Sequence, residues 1–101
     1  MDKSIEVGGC RIVLHTDGNG SEDMTDNIDA YDMQGNHLWN ISEAEGMSKD
    51  RYSYTAIWEE GIDMFTCYTY DGISFVIGNE NPHIIRTRFP KSRRGFEPEG
   101  K

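Results

Sequence analysis

The stretch "HTDGNGSEDMTDNIDAYD", His15 to Asp32, sets six carboxylates and two glycines between two apolar segments. Such a run has three chemical uses: ligands for a hard cation, a solvated connection, or a charged surface for another protein's lysines. An EF-hand loop needs oxygen donors at positions 1, 3 and 5, a glycine at 6 and a bidentate glutamate at 12. Counted from Asp17, Asn19 and Ser21 fit the third and fifth positions, but Glu22 stands in place of the glycine and Ile28 in place of the glutamate. The motif fails at its two most restrictive places. Asp29 and Asp32 continue the charge into a segment that reads as a strand, where it projects from a fixed frame. That adds weight to a docking surface, although acids and glycines are first of all what an exposed, solvated connection tolerates.

Other residues able to do chemistry are scattered. His15, His37 and His83 show neither i, i+2 nor i, i+4 spacing and have no cysteine nearby in a zinc pattern, so they read as surface or hairpin residues. Cys10 and Cys67 lie within apolar segments, where burial raises a thiol's pKa and blunts its reactivity. There is no GxSxG, no phosphate-cradling glycine loop and no HExxH, and acids are so abundant that no pair stands out as a general acid and base. The expectation is a protein that is not an enzyme and uses neither cofactor nor metal. The basic run "RTRFPKSRR" (86–94) could bind single-stranded nucleic acid by charge and stacking. Its simpler uses are to pair with the acidic body or to keep a terminal tail soluble. Core packing is the default for Trp39 and Trp58. Yet Trp58-Glu59-Glu60 sets a large ring beside two acids at a turn, the composition of a surface that grips a basic partner.

The totals point the same way. A chain of 101 residues forms one domain with its own core. Only 36% of residues are hydrophobic, but 11% are aromatic, so a few large rings carry much of the burial. Neither a signal-peptide pattern nor an apolar run long enough to cross a bilayer is present, and two widely spaced cysteines suit a reducing cytoplasm. Net charge is −8, unevenly spread: residues 1–85 hold 16 acids and 4 bases, residues 86–101 hold 6 bases and 2 acids. So acidic a body repels phosphate and attracts cationic surfaces, which argues against nucleic acid and for a basic protein partner.

Period-two alternation and turn dipeptides predict the scaffold for these residues: an all-β chain. "CRIVLHT" (10–16) reads as a strand, and "NIDAYDMQGNHLWNIS" (27–42) as a hairpin with Gly35 in its loop. "YSYTAIWEE" (52–60) alternates, with Tyr52, Tyr54, Ala56 and Trp58 on one face, and Glu60-Gly61 turns it into "IDMFTCYTY". A two-residue Asp71-Gly72 loop would set Tyr68 opposite Phe75, giving a core face of Tyr68, Tyr70, Ile73, Phe75 and Ile77. "HIIRTRF" (83–89) returns after Asn81-Pro82, and "SEAEGMSKDR" (42–51) reads as a loop. The sum is an antiparallel meander of seven or eight short strands in a sandwich or small open barrel. Residues 1–89 form the domain and 90–101 a polar tail.

Two resemblances add to this. "IDAYDMQGNHLWNI" resembles one hairpin of a quinoprotein-type β-propeller repeat, but over only 14 residues and without recurrence, so it is taken as shared hairpin chemistry. In size, charge and architecture, with the acid clusters "DGNGSEDMTDNIDAYD" and "WEEGID", the chain resembles the small acidic immunity proteins of bacterial toxin systems, including contact-dependent growth inhibition. That resemblance implies cytoplasmic residence and one-to-one neutralisation of a basic, nuclease-like toxin. The expected contact surface is Asp23, Asp26, Asp29, Asp32, Glu59 and Glu60, with Trp58 as an anchor. The alternative is an accessory domain that binds a cation or small ligand in the acidic 17–32 loop.

Overall fold

A computed structural model describes residues 2–16, 25–47 and 51–90. Its eight strands are β1 (Lys3–Val7), β2 (Cys10–Leu14), β3 (Ile28–Tyr31), β4 (His37–Asn40), β5 (Tyr54–Gly61), β6 (Met64–Thr69), β7 (Ser74–Gly78) and β8 (His83–Arg88). They make two four-stranded antiparallel sheets, β1-β2-β3-β4 and β5-β6-β7-β8. Each sheet is a meander, and the pair is a small β-sandwich. The expected all-β architecture is the one observed.

The turns explain the connectivity. Gly8 and Gly9 both have positive φ, 55° and 80°, which suits a two-residue hairpin loop and draws β1, unmarked in the sequence reading, against β2. Its segment "KSIEV" has one apolar residue half-buried and one buried, too weak an alternation to announce a strand. At the next hairpin Gly35 (φ 91°) closes a three-residue loop, with the Asp32 N–H donating to the Asn36 carbonyl at 2.9 Å. The segment expected as a loop after β4 begins instead with a 3-10 turn, Ile41–Glu43, held by a capping box between Asn40 and Glu43. Glu45 then pairs with His83, so this connection lies along the start of β8. Residues 48–50 and 91–101, the latter holding most of the expected tail, lie outside the described residues.

The 69–73 hairpin corrects the register. The Thr69 N–H donates to the Ile73 carbonyl at 2.8 Å, and the Gly72 N–H donates back to Thr69 at 3.0 Å. The loop therefore holds three residues, Tyr70, Asp71 and Gly72 (φ 93°); Asp71-Gly72 alone would have held two. One extra residue moves the pairing by one position, which exchanges the faces of β6 against β7: Phe75 and Ile77 lie in the core as expected, but Tyr68 and Tyr70 do not. Tyr68 lies opposite Ser74, and Cys67 opposite Phe75. Phe65, Cys67, Phe75 and Ile77 point inward, while Tyr68 and Tyr70 are exposed. β5 is corrected too. A bulge between Tyr54 and Ala56 turns Tyr54 inward and leaves Trp58 outward. The strand also runs on through Gly61, so the turn falls at Ile62-Asp63.

Ile12, Leu14, Ile28, Ala30 and Trp39 from the first sheet meet Tyr54, Ile57, Phe65, Cys67, Phe75 and Ile77 from the second in one core. Trp39 stacks on Phe65 at 6.0 Å between ring centroids. Each large apolar side chain buried here contributes about 1.5–3 kcal/mol. Two asparagines staple the layers. Asn27 donates to the carbonyls of His15 and Tyr54 at 2.8 and 2.9 Å and accepts from the Tyr54 N–H. Asn79 donates to the Val7 carbonyl. With the inner faces closed, the two outer faces and the ends of the sandwich are left to meet solvent.

Candidate functional site

The acids picked from the sequence divide into those the fold uses and those it leaves free. Asp23 and most of the 17–32 loop lie outside the described residues. Asp26 accepts from Arg51 Nε at 2.9 Å and takes a positive φ of 51°. Asp32 is a turn residue. Its carboxylate accepts from the backbone N–H groups of Gln34 and Asn36 and from the Asn36 side-chain amide. The Asn36 backbone and side-chain bonds hold its pKa below the ordinary carboxylate value. In both residues the oxygens serve the chain's own framework.

Asp29 is the centre of a network on the outer face of the first sheet. His15 Nε2 donates to one carboxylate oxygen at 3.0 Å; His37 Nε2 and Asn40 Nδ2 donate to the other at 2.9 and 3.0 Å. His15 Nδ1 reaches Asp2 at 3.0 Å. Burial alone would raise the Asp29 pKa, but the bonds from Asn40 and His37 and the imidazole charges outweigh it and hold the pKa low. Asp2 is lowered chiefly by its bond to His15. The sequence could not show this, because His15, Asp29 and His37 are brought together only by the pairing of β2, β3 and β4. No group of three or more His, Cys, Asp or Glu among the described residues is arranged to hold a metal ion.

The outer face of the second sheet differs. Register sets two rows across it: Trp58, Thr66, Val76, Arg86, and Ala56, Tyr68, Ser74, Arg88. Trp58 and Tyr68 pack at 5.3 Å between ring centroids, yet each stays about two-fifths exposed, at 41% and 40%. With the arginines they wall a groove of about 230 Å³ over Thr66, Ser74 and Val76. Thr66 donates to Glu60, and Arg86 stands 3.9 Å from the same carboxylate. Arg88 has no ion pair among the described residues. Glu59, opposite Phe65 in the ladder, is exposed. Trp58 and Glu60 thus share a groove, though a partly basic one, and Glu59 faces away from it.

A third region lies where the turns of the two sheets meet. An open cleft of about 780 Å³ is lined by Leu38, Glu45, Asp63, Glu80 and Pro82, among others. Glu45 is set there by its bonds along β8, its N–H donating to Pro82 and its carbonyl accepting from Ile84. Asp63 packs so closely on Gly8 that a side chain at that glycine, whose φ is already 55°, would collide with the carboxylate. Glu45, Asp63 and Glu80 form no ion pair among the described residues. No local spacing joins these acids, which come from separate turns, Asp63 at the end of "WEEGID". Of the thiols, Cys67 is buried, which pushes its pKa up to about 12 and leaves it no nucleophile. No helix among the described residues is long and apolar enough to cross a membrane. Compared with known proteins, the chain matches no family model, no curated protein and no solved structure.

Proposed function

We propose that the chain is a non-enzymatic binding protein that neutralises a basic protein partner in the cytoplasm, as an immunity protein does a nuclease-like toxin. The observation that supports this best is the cleft of acids, Glu45, Asp63 and Glu80, which have no ion pair among the described residues, beside the exposed Leu38. Carboxylates that no such pair neutralises keep their field, and a chain of net charge −8 steers a cationic surface toward them. A nuclease active site is basic because it holds phosphates, so an acidic plug competes with its substrate. The apolar rim supplies contact that charge alone does not. The expected 15–32 surface has a smaller part in this reading, since Asp26, Asp29 and Asp32 are already bonded within the chain.

The test is a pull-down with this protein as bait from lysate of its own organism, washed at low and then high salt. A single basic protein, released as salt rises, is the expected recovery. With that partner purified, Glu45→Lys together with Glu80→Lys slows association roughly tenfold or more at low salt and flattens its salt dependence. An association rate unchanged by the double reversal would remove the cleft from the interface.

A further inference from the structure

Asn79 follows β7 at the floor of the cleft and is only 6% exposed. Its backbone N–H donates to the Asp63 carbonyl at 2.8 Å, and its side-chain Nδ2 donates to the Val7 carbonyl at 3.2 Å. The other end of the amide, Oδ1, is enclosed and has no hydrogen-bond partner among the described residues. Turning the amide over would set that oxygen against the Val7 carbonyl, two acceptors face to face. The unmatched atom is therefore the oxygen, and what it requires is a donor. With Nδ2 turned to Val7, Oδ1 lies on the opposite side of the amide, toward the cleft that Asn79 lines with Glu45, Asp63 and Glu80. An adjoining cleft of about 540 Å³ is lined by the same four residues, among others. The Asp63 carboxylate stands over Gly8, next to the Val7 carbonyl that holds the amide. An enclosed acceptor without a donor thus sits among three carboxylates that have no ion pair among the described residues.

We propose that the cleft takes a primary ammonium group, the head of a lysine side chain, with Asn79 Oδ1 as its innermost acceptor and the carboxylates of Asp63, Glu45 and Glu80 around it. An ammonium supplies both things the site lacks, N–H donors and positive charge. A bare metal ion fits less well. It draws its oxygens to about 2.0–2.6 Å from one centre, and no group of three or more His, Cys, Asp or Glu among the described residues is arranged to hold one. Hydrogen bonds from an ammonium span about 2.7–3.2 Å and tolerate oxygens set wider apart. A guanidinium is a planar fork matched to the paired oxygens of a carboxylate, whereas an ammonium is a compact point on a slim stem, suited to a single enclosed amide oxygen. Leu38 and Pro82 give that stem an apolar wall. A lysine is what such a cleft would receive from the basic partner, and to that extent the site rests on the proposed function. A free amine tests it with no partner present, so the two fail separately.

Titration of the full chain with Nα-acetyl-lysine N-methylamide, followed by heteronuclear NMR at the side-chain amide of Asn79, tests it. Those resonances should move along a saturable curve with a dissociation constant in the millimolar range, the scale of one head group on a small ligand. The Nζ-trimethylated derivative keeps the charge but has no N–H to donate, and should bind about tenfold or more weakly. Asp63→Asn removes one charge and suits the left-handed backbone at that position, φ 58°. It should therefore melt cooperatively, yet bind the lysine derivative severalfold more weakly. Glu80→Gln, on an exposed side chain, should do the same. Asn79 resonances that stay still throughout the titration overturn the proposal. So does equal binding of the trimethylated derivative, which would leave only the field of the acids. Affinity unchanged in both variants overturns the part given to the carboxylates. Spermidine bound about a hundredfold more tightly than the lysine derivative would overturn lysine as the source and assign the ammonium site to a free polyamine.

Discussion

On the outer face of the first sheet, Asp29 holds two histidines and an asparagine, and Arg11 lies over Tyr31 at 5.9 Å, which in turn meets His37 edge-on. On the outer face of the second, Arg88 has no carboxylate among the described residues, and two rings stay half open to solvent. The faces share strand number, pairing and pleat, yet one gathers two histidines and an asparagine on a single carboxylate, while the other pairs Glu60 with Thr66 and Arg86 and leaves Arg88 without an ion pair among the described residues. Charge in the sequence is therefore a poor guide to which groups a β scaffold leaves free. Asp26, Asp29 and Asp32, which drew attention first, are acids the scaffold uses, while the face with a basic rim keeps Arg88 without an ion pair among the described residues and two rings half exposed.

The largest expected effect that would break this contrast is at Asp29. Asp29→Ala removes the shared acceptor of His15, His37 and Asn40, and bonds to a charged group contribute about 1.5–3 kcal/mol. A loss of about 2 kcal/mol lowers the melting temperature of a domain this size by roughly 8–16 °C. Thermal unfolding at neutral pH measures it. If Asp29→Ala melts within a degree or two of wild type, the first face is no more locked than the second.

A smaller effect follows from protonation. The folded-state pKa of Asp29 lies below its unfolded value. Its contribution is therefore fully present above the unfolded pKa, near 4, and is lost as pH falls through the folded pKa. Asp2 and Asp32 are shifted the same way. Denaturant unfolding between pH 7 and pH 2 should show stability falling in the acid range, with a shallower fall in Asp29→Asn. An unchanged slope in that variant would locate the acid sensitivity elsewhere.

How far these faces could be read from the sequence depends on what each required. Strand existence was legible where apolar and β-branched residues cluster, as in "CRIVLHT", and hairpins where a glycine sits between such runs, as at Gly35 and Gly72. Facing was not. The choice between a two- and a three-residue loop at Asp71-Gly72, and the bulge before Ala56, are each settled by one residue's backbone, yet they decide the side taken by Tyr68, Cys67 and Tyr54. Alternation cannot count a residue that leaves the ladder. The Asp29 network needs three strands in register, and the cleft acids come from three separate turns, so no local spacing marks either. Trp58 drew attention because it stands beside two acids, and it is exposed. Trp39, with similar neighbours, is buried against Phe65.

The smallest expected effect is the most telling. Arg88 lies at the second row's end with no ion pair among the described residues, so Arg88→Ala should leave the monomer's stability within about 0.5 kcal/mol of wild type, the range of ordinary surface substitutions. Measured by denaturant unfolding, this value isolates what the residue does within one chain. A cost above 1 kcal/mol would show a hidden internal role and erase the difference between the two faces. A near-zero cost, set beside the loss at Asp29, is what the contrast between the two faces requires: a charge on the second face that does nothing for the folded monomer, against one on the first that the fold depends on.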